Sequence, residues 1–403
     1  MKCSIISASL RVCESMQGSR AQKHVFLYCE PIVLTAYLRF LRYLRHDSKR
    51  IFIDLKVLGM GATIIVGGFF GDEGKGKIVA HVAFADKPAI IARGGIGPNA
   101  GHTIEVGRRK FGVRMIPSGF VYPDARLLIG AGVLVDPRVL LSEAGLLKVT
   151  KRVGVDYRCA IIETKHIETD KLDPYLSQTI GSTGTGCGPA AADRAKRTTA
   201  QAREVAELSP FLTDAAAEVN KALEAGKNVI LEGSQGFGIS LFYGTFPYVT
   251  SKDTTASQIA ADIGVGPTRI TETIVVFKTF PTRVGAGPFD TQMSEDDAKK
   301  LNIEEFGTVT GRQRRIGWWD PTMAKYSAMV NGATQVAITG LDKLDPSVKG
   351  ANQYDELSAK VKTFLREAET EVGVPFTLLS TGPELTEIVD LREEKLERVI
   401  IDT

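Results

Sequence analysis

The stretch TIIVGGFFGDEGKGKIVAHVA, Thr63 to Ala83, restricts the possible folds more than any other part of the chain. An unbroken Ile/Val run passes into a glycine-dense turn holding Gly67, Gly68, Gly71, Gly74 and Gly76, and a helical pattern follows. A strand with one wet face alternates polar and apolar residues, so a continuous β-branched run implies cover on both faces. The same signature recurs in ATIIVGGF, AIIARGG, ARLLIGAGVLV, CAIIET, KNVILEGS, ETIVVFKTFPT and QVAITGLDKL. Between these runs, PFLTDAAAEVNKALEAGK and QYDELSAKVKTFLREAETEVG carry apolar residues at helical spacing, and both stop at glycine. The alternation predicts an α/β fold: one large domain around a mostly parallel sheet, with loop and small-subdomain insertions. Ligands of such sheets bind beyond the carboxyl ends of the strands.

The glycine turns fall at those ends. In GDEGKGK, successive glycines let backbone N–H groups approach a phosphate, and a helix N-terminus adds a favourable dipole. The spacing Gly71-x4-Gly76-Lys77 meets most of the P-loop pattern, which makes the domain P-loop-NTPase-like, but Ile78 stands where a Ser or Thr would hold Mg²⁺. Asp72, inside the loop, is the candidate replacement ligand. RGGIGPNAGHT (Arg93–Thr103) supplies Asn99 and His102, an imidazole suited to proton transfer near neutral pH. IGSTGTGCGPAAADRAKR (Ile180–Arg197) offers Ser182, Thr183 and Thr185 hydroxyls and backbone amides for a phosphate, then a basic helix. Cys187 within it has no neighbouring base and is not read as a nucleophile. Gln235 in LEGSQG both donates and accepts, which suits reading a base or a ring carbonyl, and Thr250 and Ser251 follow. Arg312, Arg314 and Arg315 in FGTVTGRQRRIGWWD are suited to bidentate carboxylate or phosphate recognition. Asp342 in ITGLDKLD can accept from guanine N1–H and the 2-amino group, which favours GTP over ATP.

The totals exclude other classes. A net charge of +3 over 403 residues argues against bulk nucleic-acid binding, and no apolar stretch is long enough to span a membrane. Five irregularly spaced cysteines without a CxxC argue against a disulfide framework or zinc site and fit a reducing compartment. Residues 1–59 differ from the rest: ten Lys/Arg against four Asp/Glu, a net +6. A basic start with few acids is compatible with a transit peptide, and VLTAYLRFLRYLRH with a basic amphipathic helix, but a simpler reading is better supported. Because Met60 directly precedes the first strand, 1–59 is expected to be an extension outside the catalytic domain of 60–403, either a mis-assigned start or disordered.

Taken in order, GDEGKGK, NAGHT, STGTGCGP, EGSQG, YVTSKDTT, RVGAGPF, TVTGRQRR, GLDKLD and STGP resemble the motifs of the adenylosuccinate synthetase family over about residues 61–390. The resemblance implies a cytoplasmic, homodimeric, Mg²⁺-dependent ligase that joins IMP to L-aspartate at the expense of GTP through 6-phosphoryl-IMP, the first committed step from IMP to AMP. By resemblance Asp72 and His102 are the catalytic base and acid. GTP falls to Gly71, Glu73, Gly74, Lys75, Gly76, Lys77, Gly101, Thr103, Arg314, Leu341, Asp342, Ser380, Thr381 and Gly382. IMP falls to Asp72, Lys75, Asn99, Ala100, His102, Thr183, Gln235, Thr250 and Arg312, with Arg197 reaching it across the dimer interface. Aspartate falls to Thr308, Val309, Thr310, Gly311, Arg312, Gln313 and Arg314, and the metal to Asp72 and the Gly101 carbonyl. Three departures stand out: Gly340 replaces the family's lysine before Leu-Asp, the second turn is lengthened to GGIGPNAGHT, and the segment between Asp345 and Ser380 is short, as in compact archaeal members. The alternatives are another P-loop-like nucleotide-dependent ligase, which needs neither Gln235 nor Asp342, and a GTP-binding switch, which needs neither His102 nor the arginine loop.

Overall fold

The computed structural model describes residues 61–301, 303 and 314–396, together with the backbone of three strands, Lys2–Ser7, Leu10–Ser15 and Gln22–Phe26. Those three pair antiparallel as a small sheet of their own. The segment VLTAYLRFLRYLRH and the aspartate-loop residues 308–313 lie outside the described residues.

Gly61–Leu391 form one compact unit. Its main strands are β1 (Ala62–Gly67), β2 (Ile90–Arg93), β3 (His102–Val106), β4 (Arg109–Val113), β5 (Arg126–Ile129), β6 (Val153–Asp156), β7 (Leu212–Thr213), β8 (Val229–Glu232), β9 (Ile270–Lys278), β10 (Gln335–Thr339), β11 (Phe376–Ser380) and β12 (Ile388–Asp390). The principal helices are α1 (Lys75–Asp86), α2 (Thr164–Leu172), α3 (Cys187–Lys196), α4 (Ala215–Glu224), α5 (Ala256–Ile263), α6 (Pro321–Asn331) and α7 (Ala359–Val372). Ten strands make one sheet in the order β7-β6-β5-β2-β8-β1-β9-β10-β11-β12. Every pairing is parallel except β11 with β12. β3 and β4 form a separate antiparallel hairpin.

The Ile/Val runs behave as their pattern requires. Along β1, Ile64 and Val66 enter a core containing α4, α5, α6 and α7, while Ile65 enters a second core built on α1 and the β3–β4 hairpin. β9 divides likewise: Val275 and Phe277 face the first core, Ile274 and Val276 the second. Each fully buried Ile or Val contributes on the order of 1.5–3 kcal/mol relative to an exposed one, so the central strands anchor the domain. Six of the seven expected strands join this sheet; CAIIET instead contributes Ala160–Ile161, paired with Leu134–Val135. Short strands such as β6 and β12 had too few apolar residues to show a period.

The chain fixes the ligand site through its crossings. From β1 it runs outward through β2, β5, β6 and β7, returns to insert β8 between β2 and β1, then proceeds the other way through β9, β10 and β11. The connections diverge at β1 and β8, so their carboxyl ends open a crevice. Register sets Glu232 level with both Arg93 and Ile65, which brings the ends of β2, β8 and β1 together.

Candidate active site

The phosphate loop joins β1 to α1, and its shape depends on Glu73. This side chain turns inward, 1% exposed, and accepts from the N–H groups of Phe69 (3.0 Å) and Gly71 (2.7 Å). Its other oxygen pairs with Lys75 Nζ at 2.8 Å, and Lys75 also donates to the Gly71 carbonyl at 2.9 Å. Thr339, ending β10, donates to the Glu73 carbonyl at 2.8 Å. The EGSQG turn packs directly on this loop: a Cβ on Gly236 would lie 2.4 Å from Gly71 N and 2.6 Å from Glu73 Oε1. Glu73 is therefore a girder of the loop, and only its backbone is available to a nucleotide.

Lys77 also departs from the P-loop expectation. Its Nζ donates to Ser380 Oγ (2.8 Å), the Gly382 carbonyl (2.7 Å) and the Glu387 carbonyl (2.6 Å). Those bonds use all three ammonium hydrogens. Burial lowers its pKa to about 8, against the pull of Glu387 and Asp342.

His102 opens β3, against the start of α1. Its Nδ1 lies 2.5 Å from Glu232 Oε1 and 2.9 Å from Ser118 Oγ. Glu232, at 0% exposure, also accepts from Ser118 N (2.7 Å) and Ser118 Oγ (2.5 Å), and Arg93 approaches at 3.4 Å. Arg93 donates in addition to the Ala100 carbonyl at 3.2 Å. Burial would raise the Glu232 pKa, but the hydrogen bond from His102, with the Arg93 charge and the Ser118 hydrogen bond, holds it below its ordinary value. Burial, helped by Arg93, pushes the imidazole down to about 4 despite Glu232. The proton between the two therefore belongs on Nδ1, which donates to the carboxylate and leaves Nε2 with a lone pair. Nε2 is buried without a hydrogen-bond partner among the described residues. Sequence reasoning assigned none of Glu232, Arg93 and Ser118. A trace was present: VILE and IIAR are buried runs that each end on a charge, and the two charges are of opposite sign.

Asp72 lies at the mouth of the loop. Arg314 Nη2 donates to Asp72 Oδ1 at 2.8 Å, and the two side chains form an ion pair in which Nε lies 2.8 Å from Oδ2. Burial raises the Asp72 pKa, while Arg314 and Lys278 pull it back. Gln235 adopts φ 64° beside Gly71. Among the described residues its buried Oε1 has no hydrogen-bond partner, and neither has the buried Oδ1 of Asn99. Unpaired buried polar atoms are costly, so three such groups near the strand ends fit a polar ligand.

The remaining candidates divide by location. Ala100, Gly101 and Thr103 flank His102. Thr183 bonds Thr185 through the hydroxyls at 2.9 Å in the loop before α3, and Asp170 of α2 fixes that loop by accepting from Gly186 N at 2.8 Å. Thr250 follows the EGSQG turn, its N–H on the Ile239 carbonyl at 2.8 Å. Arg197 caps α3 in an exposed left-handed conformation. Buried Leu341 and half-buried Asp342 start the short turn after β10. Ser380 ends β11 and Thr381 and Gly382 follow it, with the Thr381 hydroxyl spent on the Ala351 carbonyl at 2.6 Å. Cys187 is buried and its thiol is pushed up to about 12 by desolvation.

A phosphate loop on a central parallel strand, with a carboxylate and a buried imidazole at its mouth, defines a nucleotide-dependent α/β enzyme. The family model described as adenylosuccinate synthetase matches residues 64–208 and 200–347. The adenylosuccinate synthetase of Archaeoglobus fulgidus is 67% identical over 337 residues, 84% of this chain and 100% of that protein. That of Methanocaldococcus jannaschii is 57% identical over 342 residues, 84% and 99% of the two chains. The chain belongs to the adenylosuccinate synthetase family. Among solved structures, the fully ligated adenylosuccinate synthetase from Plasmodium falciparum shares the fold at TM-score 0.76 and 24% identity, covering 81% of this chain and 99% of that one. A cyanophage S-2L succinoaminodeoxyadenylate synthetase shares it at TM-score 0.69 and 23% identity, covering 82% and 95%.

Proposed function

We propose that Asp72 and His102 divide the proton chemistry of the family's reaction in this chain. The enzyme is a ligase that joins IMP to L-aspartate with GTP, releasing adenylosuccinate, GDP and phosphate. The 6-oxygen of IMP is amide-like and a poor leaving group. Asp72 takes the N1 proton, and the O6 made nucleophilic attacks the γ-phosphorus as the bond to GDP breaks. The aspartate amine then attacks C6, the C6–O bond breaks, and phosphate leaves. His102 donates at the transferring phosphoryl group, oriented by Glu232, with its Nε2 as the working atom. An imidazole held neutral by burial gains its proton as phosphate charge comes beside it, which raises its pKa.

The observation that carries this reading is the fixed imidazole with one nitrogen bound to a buried carboxylate and the other without a partner among the described residues. Asn99, Ala100, Thr183, Gln235 and Thr250 are assigned to IMP, with Lys75 and the loop backbone on phosphate. Asp342 and 380–382 are assigned to guanine. Loop 308–314 is assigned to aspartate.

Mg²⁺ fits the donor set in one way. Among the described residues no cluster of three or more His, Cys, Asp or Glu side chains is placed to hold a metal. Mg²⁺ characteristically takes one or two carboxylates and completes its shell with substrate phosphates and water. Asp72 and the Gly101 carbonyl would be the protein's share, and the ion would neutralise charge on the phosphates. We place the enzyme in the cytoplasm as a homodimer in which Arg197 reaches the neighbouring IMP site; no helix among the described residues is long and apolar enough to cross a membrane. The test is the ultraviolet change on forming a 6-substituted purine from IMP, GTP, Mg²⁺ and aspartate. Asp72→Asn and His102→Asn each abolish it while leaving the fold intact; retained turnover in Asp72→Asn overturns the base assignment.

A further inference from the structure

The phosphate-loop lysine that best matches the P-loop spacing directs its ammonium at the 380–387 loop. Lys77 occupies the third position of α1, is 6% exposed, and gives its three hydrogens to Ser380 Oγ, the Gly382 carbonyl and the Glu387 carbonyl. Its acceptors form one small structure. Ser380 Oγ donates in turn to the Gly382 carbonyl at 3.1 Å, Thr381 N–H reaches the Glu387 carbonyl at 3.0 Å, and Glu384 N–H reaches Glu387 Oε2 at 2.8 Å. Gly382 sits so tightly on this structure that a Cβ there would meet the Glu387 carboxylate. Lys77 is also surrounded by acids: Glu387, Asp342, Glu384 and Glu105 all act on its charge. One of them, Asp342, is the residue assigned to the guanine edge.

We propose that Lys77 is a positioning residue for base selection: it ties the first turn of α1 to the 380–387 loop, so fixing the guanine pocket relative to the phosphate pocket. The inference rests on the assignment of Asp342 and residues 380–382 to guanine. The phosphates of a nucleoside triphosphate lie at a set distance from its base. One ammonium bridging the helix that meets the phosphates and the loop that meets the base keeps the two pockets at that spacing. A methylene stem of the same length without the charge would leave two carbonyls and a hydroxyl unpaired, and the loop would shift to find water.

The test compares kcat/KM for GTP and for ITP, which lacks the 2-amino group that Asp342 would read. Wild type prefers GTP. In Lys77→Met the preference shrinks about tenfold and KM for GTP rises, while kcat at saturating GTP stays within roughly threefold, as expected when binding rather than the chemical step is disturbed. Ser380→Ala removes one of the three acceptors and shifts the preference in the same direction by less. If Lys77→Met does not fold, Ser380→Ala carries the test alone. Equal loss for GTP and ITP, or a collapse of kcat with the preference intact, overturns the proposal, since that is how a phosphate ligand behaves. An unchanged preference in Ser380→Ala also overturns it. A wild-type enzyme indifferent between GTP and ITP overturns instead the guanine assignment on which the proposal stands.

Discussion

Glu232→Gln is the substitution whose cost can be worked most closely from the structure. The side chain keeps its size and loses its charge. In the native site one carboxylate oxygen faces His102 Nδ1 and Ser118 Oγ, both at 2.5 Å, and the other faces Ser118 N at 2.7 Å. All of these are donors to a group with no exposure at all. A glutamine amide must turn its NH2 toward one set of donors, so at least one buried N–H or O–H loses its acceptor, at about 1–3 kcal/mol. Arg93, also at 0% exposure, loses its counter-charge, and removing one member of a buried ion pair costs about 3–5 kcal/mol. The two penalties share atoms and do not add, so the expected loss is about 3–5 kcal/mol. Urea unfolding at fixed protein concentration measures it. Glu218→Gln, which disturbs the half-exposed pair with Arg126, is the comparison and should cost about 1 kcal/mol or less. Without the carboxylate, His102 is no longer held with its proton on Nδ1, and kcat should fall roughly a hundredfold or more. A variant within about 1 kcal/mol of wild type with unchanged kcat would refute the reasoning, because neither the buried charge nor the imaging of the tautomer by Glu232 would then matter.

Three further outcomes follow from the site. Gly340 has φ 77°, and a Cβ there would sit 2.9 Å from Thr279 Oγ1, so restoring the family's lysine by Gly340→Lys lowers stability by about 1 kcal/mol in thermal or urea unfolding and gains nothing in KM for GTP. Burial that pushes the Cys187 thiol up to about 12 keeps it unalkylated by iodoacetamide at neutral pH until the protein unfolds, as peptide mass mapping would show. Excess chelator abolishes turnover, and added Mg²⁺ restores it.

The sequence displayed the sheet because buried parallel strands leave an unbroken apolar run, and it displayed the loops because phosphate-binding turns need glycine. Both are local properties of a dozen residues. What it hid is the set of partners that make those residues work. Glu232 stands 130 residues from His102, and Lys77 stands 303 residues from Ser380. Nothing in the spacing of GDEGKGK tells which lysine faces a phosphate, because Lys75 and Lys77 lie in the same first turn of α1. The direction of each is set by what the tertiary fold brings near: Glu73 and the Gly71 carbonyl for Lys75, the end of β11 for Lys77. Arg93 and Glu232 were visible only as charges at the ends of buried runs, and their meaning depends on β8 being inserted beside β2, a topological fact.

The same reasoning accounts for Ile78, the residue that broke the P-loop pattern. It is fully buried in the core between α1 and the sheet. A Ser or Thr there would bury a hydroxyl among Ile and Val and remove apolar contact, while the metal-binding role it serves elsewhere has a candidate in Asp72. The lysine before it faces the 380–387 loop rather than taking the P-loop lysine's place at phosphate, and Glu73 with Lys75 shapes the turn from inside. Two loops with nearly the same glycine spacing thus divide the work differently. The glycines are set by the need for backbone to approach phosphate, and that need is common to both. The side chains between and after them answer to the neighbouring strands, which differ.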